Sequence, residues 1–400
     1  MTSAPLHSPA GAEVRICEVC GSDDYERLHI QQFFVVGEDL PFHYTVSACR
    51  RCGFLLADDI PSQQEYERYY KNNLRYTYNR GDIPEGIRTL HRRAFRFIDE
   101  YLVGARKMVD PKSFSILDIG CSTGHFLHVL KQNGYPDVLG IEPAPECSSL
   151  AQDLYGIRVI SSPLSGFASS SRFNLMIMSG VLEHLCDLAE TLSTVSSLLE
   201  EGGTFFTLVP DAMGFSMMPK EPFHEFSPEH INFFTSSSIG NLMGKFGLIR
   251  KREESWDVDL YDSRALATIW EKSATTECIA KDREGPRKLK EYIAASEQRM
   301  GTVRAAIDAL VESGEEIVVW GGGSLTGRLL ASTRLREANI RAIVDSNEGL
   351  HGKTIGGIAI GSPEMLTGSA TTVFVSSHVY GHEIALSLEK RRHRGRVILL

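Results

Sequence analysis

The sequence predicts an α/β protein in which two doubly wound, Rossmann-like domains follow a small cysteine-rich module. Apolar strand-like runs alternate with amphipathic stretches twice along the 400 residues, which is typical of parallel sheets with crossover helices. Four of the eight cysteines lie within the first 52 residues. At about 150 residues per domain, the length allows two to three domains, each large enough to bury its own core.

The composition is that of an ordinary globular protein. Hydrophobic residues make up 42% of the chain and charged residues 23%, and 42 basic against 51 acidic side chains give a formal net charge of −9. This acidity argues against a nucleic-acid partner. The sequence shows neither a run of about eighteen apolar residues nor a secretory leader, so we expect a cytoplasmic protein without a membrane partner.

The pattern of strands and helices divides the chain into four parts. We expect a module at residues 13–80, an α/β domain at 85–255, a connecting helix at 280–313 that ends at Gly314, and a second α/β domain at 314–400. The strands predicted for the first domain are 114–117, 137–141, 173–178 and 204–209. Those predicted for the second domain are 317–320, 340–344, 372–375 and 397–400.

Two Cys-x-x-Cys pairs, Cys17 with Cys20 and Cys49 with Cys52, give the module four thiols. In a reducing compartment such pairs more often bind a metal than form disulfides. Four thiolates complete the tetrahedral shell of Zn²⁺ and leave no position for a catalytic water. We therefore predict a structural zinc site, with four reduced structural thiols as the alternative.

A turn of small residues follows the first strand of the first α/β domain. The run Ile116-Leu-Asp-Ile-Gly-Cys-Ser-Thr-Gly124 leads from a strand into a helix, and such a turn lets backbone amides approach a ligand closely. Glu142 lies 22 residues beyond Gly120, at the end of the next strand, where a carboxylate can bind two ribose hydroxyls. The unit predicts a nucleotide-type cofactor, and NAD is one alternative.

The same residues resemble motif I and the ribose-binding acid of class I S-adenosylmethionine-dependent methyltransferases. The resemblance extends to Ser179-Gly-Val-Leu-Glu-His184 and to the Gly202-Gly203 turn before the strand 204–209. The family pattern has glycine at the position of Ser122, and serine is small enough to admit the cofactor. The resemblance implies that S-adenosylmethionine is bound by Asp118, Gly120, Cys121, Ser122, Gly124, Glu142, Pro143 and Ser179.

Two loops that leave the carboxyl ends of strands carry histidines, His184 after the strand 173–178 and His230 after the strand 204–209. Ligands of open α/β sheets bind at this edge, so both histidines should face the transferred methyl group. Neutral imidazole suits proton removal because its pKa lies near the working pH, and Glu229 could orient His230 or pair with its cation. The alternatives are that His230 anchors its loop and that His184 shapes the cofactor site.

As an ordered set, the motifs resemble the sugar C-methyltransferases that act on nucleotide-linked 4-ketohexoses. That family joins a four-cysteine zinc module, a methyltransferase domain with a loop like Glu229-His230-Ile-Asn-Phe-Phe-Thr235, and a C-terminal Rossmann-like domain. The resemblance implies that His230 removes the proton at sugar C3. It also implies that His184 and a tyrosine near Tyr76 or Tyr78 line the same pocket.

The second α/β domain repeats the strand, glycine turn and helix at Trp320-Gly-Gly-Gly-Ser-Leu-Thr-Gly-Arg328, and Asp345 ends its next strand. The glycine spacing departs from that of a dinucleotide-binding turn. By resemblance, we expect this domain to contact the nucleotide end of the substrate. A structural role and a second cofactor are the alternatives. His378, Tyr380 and His382 follow a strand of this domain and could reach a ligand.

Together these features predict a methyltransferase that C-methylates a nucleotide-linked ketosugar and contains zinc. Ser227 stands where the sugar family has a tyrosine, which counts against a ketosugar acceptor more than against methyl transfer. The second hypothesis is therefore O-methylation of a hydroxyl on a polysaccharide or natural product. The third is a scaffold that binds S-adenosylmethionine without turnover.

Overall fold

The computed structural model describes residues 15–37, 40–72, 83–105, 110–217, 221–259, 262–274, 279–378 and 380–400. Within these ranges the chain forms three β-sheets with helices packed against them. The described helices are all too short or too polar to cross a lipid bilayer.

Strands and helices are numbered in chain order. The strands are β1 (Tyr25–Phe34), β2 (Pro41–Cys49), β3 (Leu55–Asp58), β4 (Ile116–Ile119), β5 (Val138–Ile141), β6 (Val159–Ile160), β7 (Phe173–Ser179), β8 (Leu199–Pro210), β9 (Asn232–Phe233), β10 (Leu248–Val258), β11 (Ser263–Lys272), β12 (Ile317–Trp320), β13 (Ile340–Val344), β14 (Thr354–Ile355), β15 (Ile358–Gly361), β16 (Thr372–Val375) and β17 (Val397–Leu399). The helices are α1 (Gln63–Asn72), α2 (Glu85–Gly104), α3 (His125–Gln132), α4 (Pro145–Tyr155), α5 (Leu188–Leu198), α6 (Ser236–Gly244), α7 (Glu284–Ser313), α8 (Ser324–Ser332) and α9 (Gly381–Lys390). This alternation confirms the predicted α/β fold class.

The N-terminal sheet is antiparallel and has the strand order β1-β2-β3-β9. Its edge strand β9 comes from the loop that carries the predicted catalytic histidine. Leu55 and Leu56 of β3 pair with Phe233 and Asn232 of β9. A strand of two residues has no periodicity that a sequence pattern could reveal, so this pairing was not predicted. The loop after β8 is thereby hydrogen-bonded to the cysteine module.

The central sheet has the order β10-β11-β8-β7-β4-β5-β6. The strands from β4 to β8 lie parallel to their neighbours, and β10 and β11 add an antiparallel hairpin at one edge. This hairpin was not predicted. Charged residues are frequent in β10, as expected for an edge strand with one face in solvent. The carboxyl ends of the parallel strands meet at one edge of the sheet, where ligands bind in such folds.

The C-terminal sheet has the order β14-β15-β13-β12-β16-β17, with only β14 antiparallel to its neighbour. Helix α7 connects the central sheet to it and ends at Gly314, which adopts the left-handed conformation with φ of 63°. Glycine is the residue that most readily adopts this conformation at a helix C-terminus. One face of α7 is buried along its length, including Leu289, Tyr292 and Ile307.

Helix α8 of the C-terminal sheet packs directly on β1. A Cβ atom at Gly327 would lie 2.0 Å from the carbonyl oxygen of Phe34, so only glycine allows this approach. Phe33 of β1, Tyr292 of α7 and Ile317 of β12 belong to one hydrophobic cluster. A continuous core therefore joins the cysteine module to the C-terminal sheet.

Arg328, the next residue of α8, is fully buried and is neutralised by the segment that follows β8. Its Nη1 donates to the Glu221 carboxylate at 2.9 Å and to the Pro222 carbonyl oxygen at 3.0 Å, and its Nη2 donates to the Phe226 carbonyl oxygen at 2.9 Å. A buried charge is tolerated only when it is paired and hydrogen-bonded. The C-terminal sheet thus fixes the start of the segment that leads to His230.

Replacing Arg328 with methionine should lower the free energy of unfolding by about 3–5 kcal/mol, because a buried ion pair is broken and the buried carbonyl oxygens of Pro222 and Phe226 lose their donor. The matched control is Arg334→Met, which breaks a largely exposed ion pair with Glu337 and should cost at most about 1 kcal/mol. Chemical denaturation followed by circular dichroism measures both variants. Equal destabilisation of the two would contradict the role assigned to Arg328.

Candidate functional site

The four cysteines predicted to bind zinc converge. Their sulfur atoms all lie within 4.8 Å of one another, and the closest pairs, Cys17 with Cys52 and Cys20 with Cys49, are 3.5 Å apart. All four are free thiols. Sulfurs bound to a tetrahedral zinc ion at about 2.3 Å stand about 3.8 Å apart. The cluster therefore has the dimensions of a zinc site.

Asp282 connects the second cysteine pair to the neighbouring elements. Its amide donates to the Cys52 carbonyl oxygen at 2.8 Å. Its carboxylate accepts hydrogen bonds from the amides of Glu284 and Gly285 at the start of α7, at 3.0 and 2.9 Å. The hydroxyl of Thr235 donates to the same carboxylate at 2.5 Å. Asp282 thus links three elements: its backbone amide contacts the second cysteine pair, and its buried carboxylate joins the start of α7 to the end of the loop after β8.

The turn after β4 contains three residues in the left-handed conformation: Gly120, Ser122 and Gly124, with φ of 74°, 48° and 76°. A Cβ atom at Gly120 would lie 2.6 Å from a methyl group of Val181, so this position requires glycine for space as well as for conformation. Ser122 stands where the methyltransferase pattern has glycine, and its conformation costs about 1 kcal/mol. The Ser122 amide donates to the Glu142 carboxylate at 3.0 Å.

A buried carboxyl group, that of Asp118, and a partly buried one, that of Glu142, face this turn. Burial, followed by the charge of Glu142, raises the pKa of Asp118, which is 3% exposed. Burial also raises the pKa of Glu142, although two backbone amides at 3.0 Å favour its charged form. The Cys121 sulfur lies 2.4 Å from the position of a Cβ atom on Gly140, so the thiol packs against β5. Cys121 therefore offers a ligand its backbone rather than its thiol.

Two pockets open at the carboxyl edge of the central sheet, with volumes of about 330 and 200 Å³. Both are bordered by Gly120, Ser122, Gly180 and His184, so they meet at the glycine turn. Of the predicted cofactor residues, Asp118, Cys121 and Ser179 line only the larger pocket, and Glu142 and Pro143 line only the smaller one. Gly124 borders neither of these two pockets and instead lies against α4.

His184 and His230 face each other in the larger pocket, with ring centroids 4.9 Å apart in a T-shaped arrangement. Hydrogen bonds to backbone carbonyl oxygens hold the two histidine-bearing segments in this arrangement. The Ile231 amide donates to the Glu183 carbonyl oxygen at 2.8 Å. The side-chain amide of Asn232 donates to two further carbonyl oxygens of the turn after β7, at 2.9 and 2.8 Å. The two histidine-bearing segments are therefore locked together.

The loop after β8 is also supported by the cysteine module. The phenols of Tyr44 and Tyr66 donate to the carbonyl oxygens of Ser227 and of the residue after it, each at 3.0 Å. The Ser227 hydroxyl accepts hydrogen bonds from the amides of Glu229 and His230, at 3.3 and 3.2 Å. The role of Tyr44 and Tyr66 as loop supports was not predicted, because no local motif links them to a segment so distant in the chain.

The two histidines of this segment, His224 and His230, differ in charge. Burial, followed by the neighbouring His184, lowers the pKa of His230 to about 3, so its ring is neutral at physiological pH. The expectation of a pKa near neutrality was wrong for His230. Burial also opposes the charged form of His224, but its hydrogen bond to Glu221 and the nearby carboxylates raise its pKa to about 9. His224 is therefore an imidazolium.

The larger pocket is also lined by two acidic residues and two histidines that were not predicted as site residues. Glu183 and Glu225 are 3% and 5% exposed, and burial raises the pKa of both carboxyl groups. His91 and His125 stack, with their Nδ1 atoms 2.7 Å apart. Glu183 adjoins a predicted histidine and could have been found from that motif. The other three come from separate elements that only the fold brings together.

Tyr76 and Tyr78, which were predicted to line the acceptor pocket, lie outside the described residues. In the glycine turn after β12, the Gly322 amide donates to the Asp345 carboxylate at 2.7 Å, so this turn is hydrogen-bonded within its own sheet. Contact of the C-terminal sheet with a nucleotide stays a prediction.

Residues 87–249 match the Methyltransf_23 family, which is described as a methyltransferase domain. A tRNA U34 carboxymethyltransferase of Desulfotalea psychrophila is 25% identical over 166 residues, which are 39% of this chain and 49% of that protein. A probable S-adenosylmethionine-dependent methyltransferase of Saccharomyces cerevisiae, CRG1, is 28% identical over 199 residues, which are 48% of this chain and 58% of that protein. The chain thus spans about half the length of these relatives.

Among solved structures, a 1,6-didemethyltoxoflavin-N1-methyltransferase of Burkholderia thailandensis with bound S-adenosylhomocysteine is similar at a TM-score of 0.41 and 16% identity. The match covers 57% of this chain and 96% of that one. The family match falls on the strands and on the glycine turn that border both pockets. Residues 87–249 therefore form a methyltransferase domain.

Proposed function

We propose that the protein transfers a methyl group from S-adenosylmethionine to a carbon atom of a nucleotide-linked sugar, with His230 as the proton acceptor. The observation that carries this proposal is the junction of the two pockets at Gly120, Ser122, Gly180 and His184. One pocket contains an acid suited to a ribose, and the other contains paired imidazoles. A junction of this kind lets donor and acceptor meet in one orientation, which is a major source of rate enhancement.

The smaller pocket suits the nucleoside part of the cofactor. Glu142 presents a partly buried carboxylate that two backbone amides orient at 3.0 Å, and Pro143 and residues 162–165 line the adjoining wall. Asp118 and the backbone of Gly120 would hold the polar end in the larger pocket. The bound cofactor supplies a methyl group that is already activated. The protein itself must align the acceptor and receive its proton.

In this proposal His230 receives the proton from the acceptor. Its ring is neutral, so one ring nitrogen has a lone pair for this purpose. The charge of Glu229 favours the protonated ring and would help to stabilise it once formed. If the acceptor is a ketosugar, His184, Tyr76 and Tyr78 are the residues proposed to donate hydrogen bonds to the developing enolate oxygen.

The nucleotide-linked sugar is proposed from the family resemblance together with the lining of the larger pocket. Arg264 lines this pocket, and a guanidinium suits the diphosphate of such a substrate. His378, in the loop after β16, lies within electrostatic range of His224, which lines the same pocket. O-methylation of a hydroxyl remains the second candidate, because Ser227 replaces the tyrosine of the sugar family.

We also propose that the cysteine cluster binds a structural zinc ion, on the basis of its four convergent sulfurs. The divisions expected from the sequence, at 13–80, 85–255, 280–313 and 314–400, are proposed as structural units. Residues 232–233 form the exception, because they belong to the sheet of the first unit.

One tightly held zinc ion per chain is expected after dialysis, measured by inductively coupled plasma mass spectrometry. Cys17→Ser should release this ion and lower the unfolding temperature, because three thiolates no longer complete the tetrahedral shell. Cys186→Ser is the matched control, since this partly buried thiol lies outside the cluster. Zinc retained at full occupancy in Cys17→Ser would overturn the ligand assignment.

Gly120→Ala should weaken the binding of S-adenosylmethionine by at least about tenfold, which corresponds to about 1.4 kcal/mol of binding free energy. Isothermal titration calorimetry measures this change. The new methyl group meets Val181 and forces the turn to shift. Gly134→Ala is the matched control, because Gly134 also has a positive φ but no atom within 4 Å of its Cβ position. Equal affinity in the two variants would contradict the placement of the cofactor at the turn.

His230→Gln should reduce turnover by about 10²–10⁴-fold, the usual contribution of a general base, while the affinity for S-adenosylmethionine stays within about twofold. His43→Gln, at an exposed histidine of the cysteine module, is the control. Methyl transfer from isotopically labelled cofactor to a panel of nucleotide-linked hexoses and 4-ketohexoses provides the assay. Full activity of His230→Gln would remove this residue as the base.

The same assay separates the candidate functions. Nuclear magnetic resonance of the product locates the new methyl group on a ring carbon for the main proposal and on an oxygen for the second candidate. Cofactor binding with no product from the panel or from free hydroxyl acceptors would favour the scaffold hypothesis instead.

A further inference from the structure

Glu183, His184 and His230 bring three potential metal ligands to one point of the larger pocket. One ligand atom from each residue lies within 4.8 Å of the other two. The closest approach given by the structure is 3.8 Å, between Nε2 of His184 and Oε1 of Glu183. This cluster is separate from the four cysteines and lies at the opposite end of the β3–β9 pairing.

One oxygen of the Glu183 carboxylate lacks a hydrogen-bond donor among the described residues. The residue is 3% exposed, and its Oε2 atom accepts no hydrogen bond from the residues that the structure describes. A buried acceptor without a donor costs about 1–3 kcal/mol, and more when the group is charged. The side chain lines the larger pocket, so a cation bound in that pocket would satisfy it.

The two imidazoles are oriented as metal ligands usually are. Nδ1 of His184 lies 2.9 Å from the Glu229 carbonyl oxygen, which can only accept, so Nδ1 carries a proton and Nε2 is the ring nitrogen that a metal ion would bind. The ring of His230 is likewise hydrogen-bonded to the backbone of Glu225. Metal-binding histidines generally donate their second ring N–H to a carbonyl or carboxylate in this way.

We propose that Glu183, His184 and His230 bind a divalent transition-metal ion such as Zn²⁺, and that this ion inhibits methyl transfer. Two imidazoles and a carboxylate form a ligand set that Zn²⁺ accepts, and the open pocket leaves a fourth position for water. Ligands bonded at about 2.0–2.1 Å to a tetrahedral ion stand about 3.4 Å apart, so the side chains must close by roughly 1 Å.

Inhibition follows from the position of the ion. Coordination uses the lone pair of His230, so the ring can no longer receive a proton, and the ion also occupies acceptor space. This consequence rests on the proposed function, whereas binding of the ion does not. Inhibition should be competitive with the acceptor and should leave the affinity for S-adenosylmethionine within about twofold.

A titration with Co²⁺ tests the binding without any substrate. The full chain, with its cysteine cluster loaded with zinc, should take up one further equivalent of Co²⁺ and develop visible d–d absorption. Glu183→Gln and His184→Ala should each weaken this binding by more than about tenfold, because even loss of a supporting hydrogen bond costs about 10–100-fold. His43→Gln should bind Co²⁺ as the wild type does. Circular dichroism and the unfolding temperature verify that each variant is folded.

The Co²⁺ titration separates the metal site from its effect on methyl transfer. Wild-type protein that takes up no second equivalent of Co²⁺ overturns the site, and absorption that survives in both variants overturns the ligand assignment. Co²⁺ or Zn²⁺ that binds as expected but leaves turnover unchanged overturns the inhibition and, with it, the base role of His230. Failure to methylate any sugar would count against the proposed function alone, since the titration needs no acceptor.

Discussion

Arg328 carries a full positive charge in a place without access to water, and its acceptors Glu221, Pro222 and Phe226 all belong to the segment that leads to His230. Since the charge cannot be left unpaired, the segment has to return to α8 each time the protein folds. The path of the loop after β8 depends on this requirement. The other supports, Tyr44, Tyr66 and the strand β9, then act on a segment whose start is already fixed.

The two glycine turns show how one local pattern can serve different purposes. In each, a backbone amide of the turn donates to the acid that ends the next strand, Glu142 in the central sheet and Asp345 in the C-terminal sheet. The first turn borders two pockets. The second is followed by a helix pressed against β1, with Gly327 at the contact. Its glycines are explained at least in part by packing between sheets.

The sequence was sufficient for the elements that depend on local pattern. The α/β alternation, the convergence of Cys17 with the other three cysteines and the position of the turn at Gly120 all follow from spacing and residue type. The β3–β9 pairing and the contacts of Tyr66 were not accessible, because they join segments far apart in the chain. The pKa of His230 was missed for a related reason, since burial is a property of the fold rather than of the motif.

The pairing of β9 with β3 also bears on how such a protein can change over evolutionary time. A cysteine module that completed its own sheet could be transferred between genes as an independent unit. Here the sheet is finished by residues 232–233, which lie within the methyltransferase domain. A recombined chain would therefore have to inherit the module and this loop together, so the module is expected to diverge alongside the methyltransferase domain rather than independently.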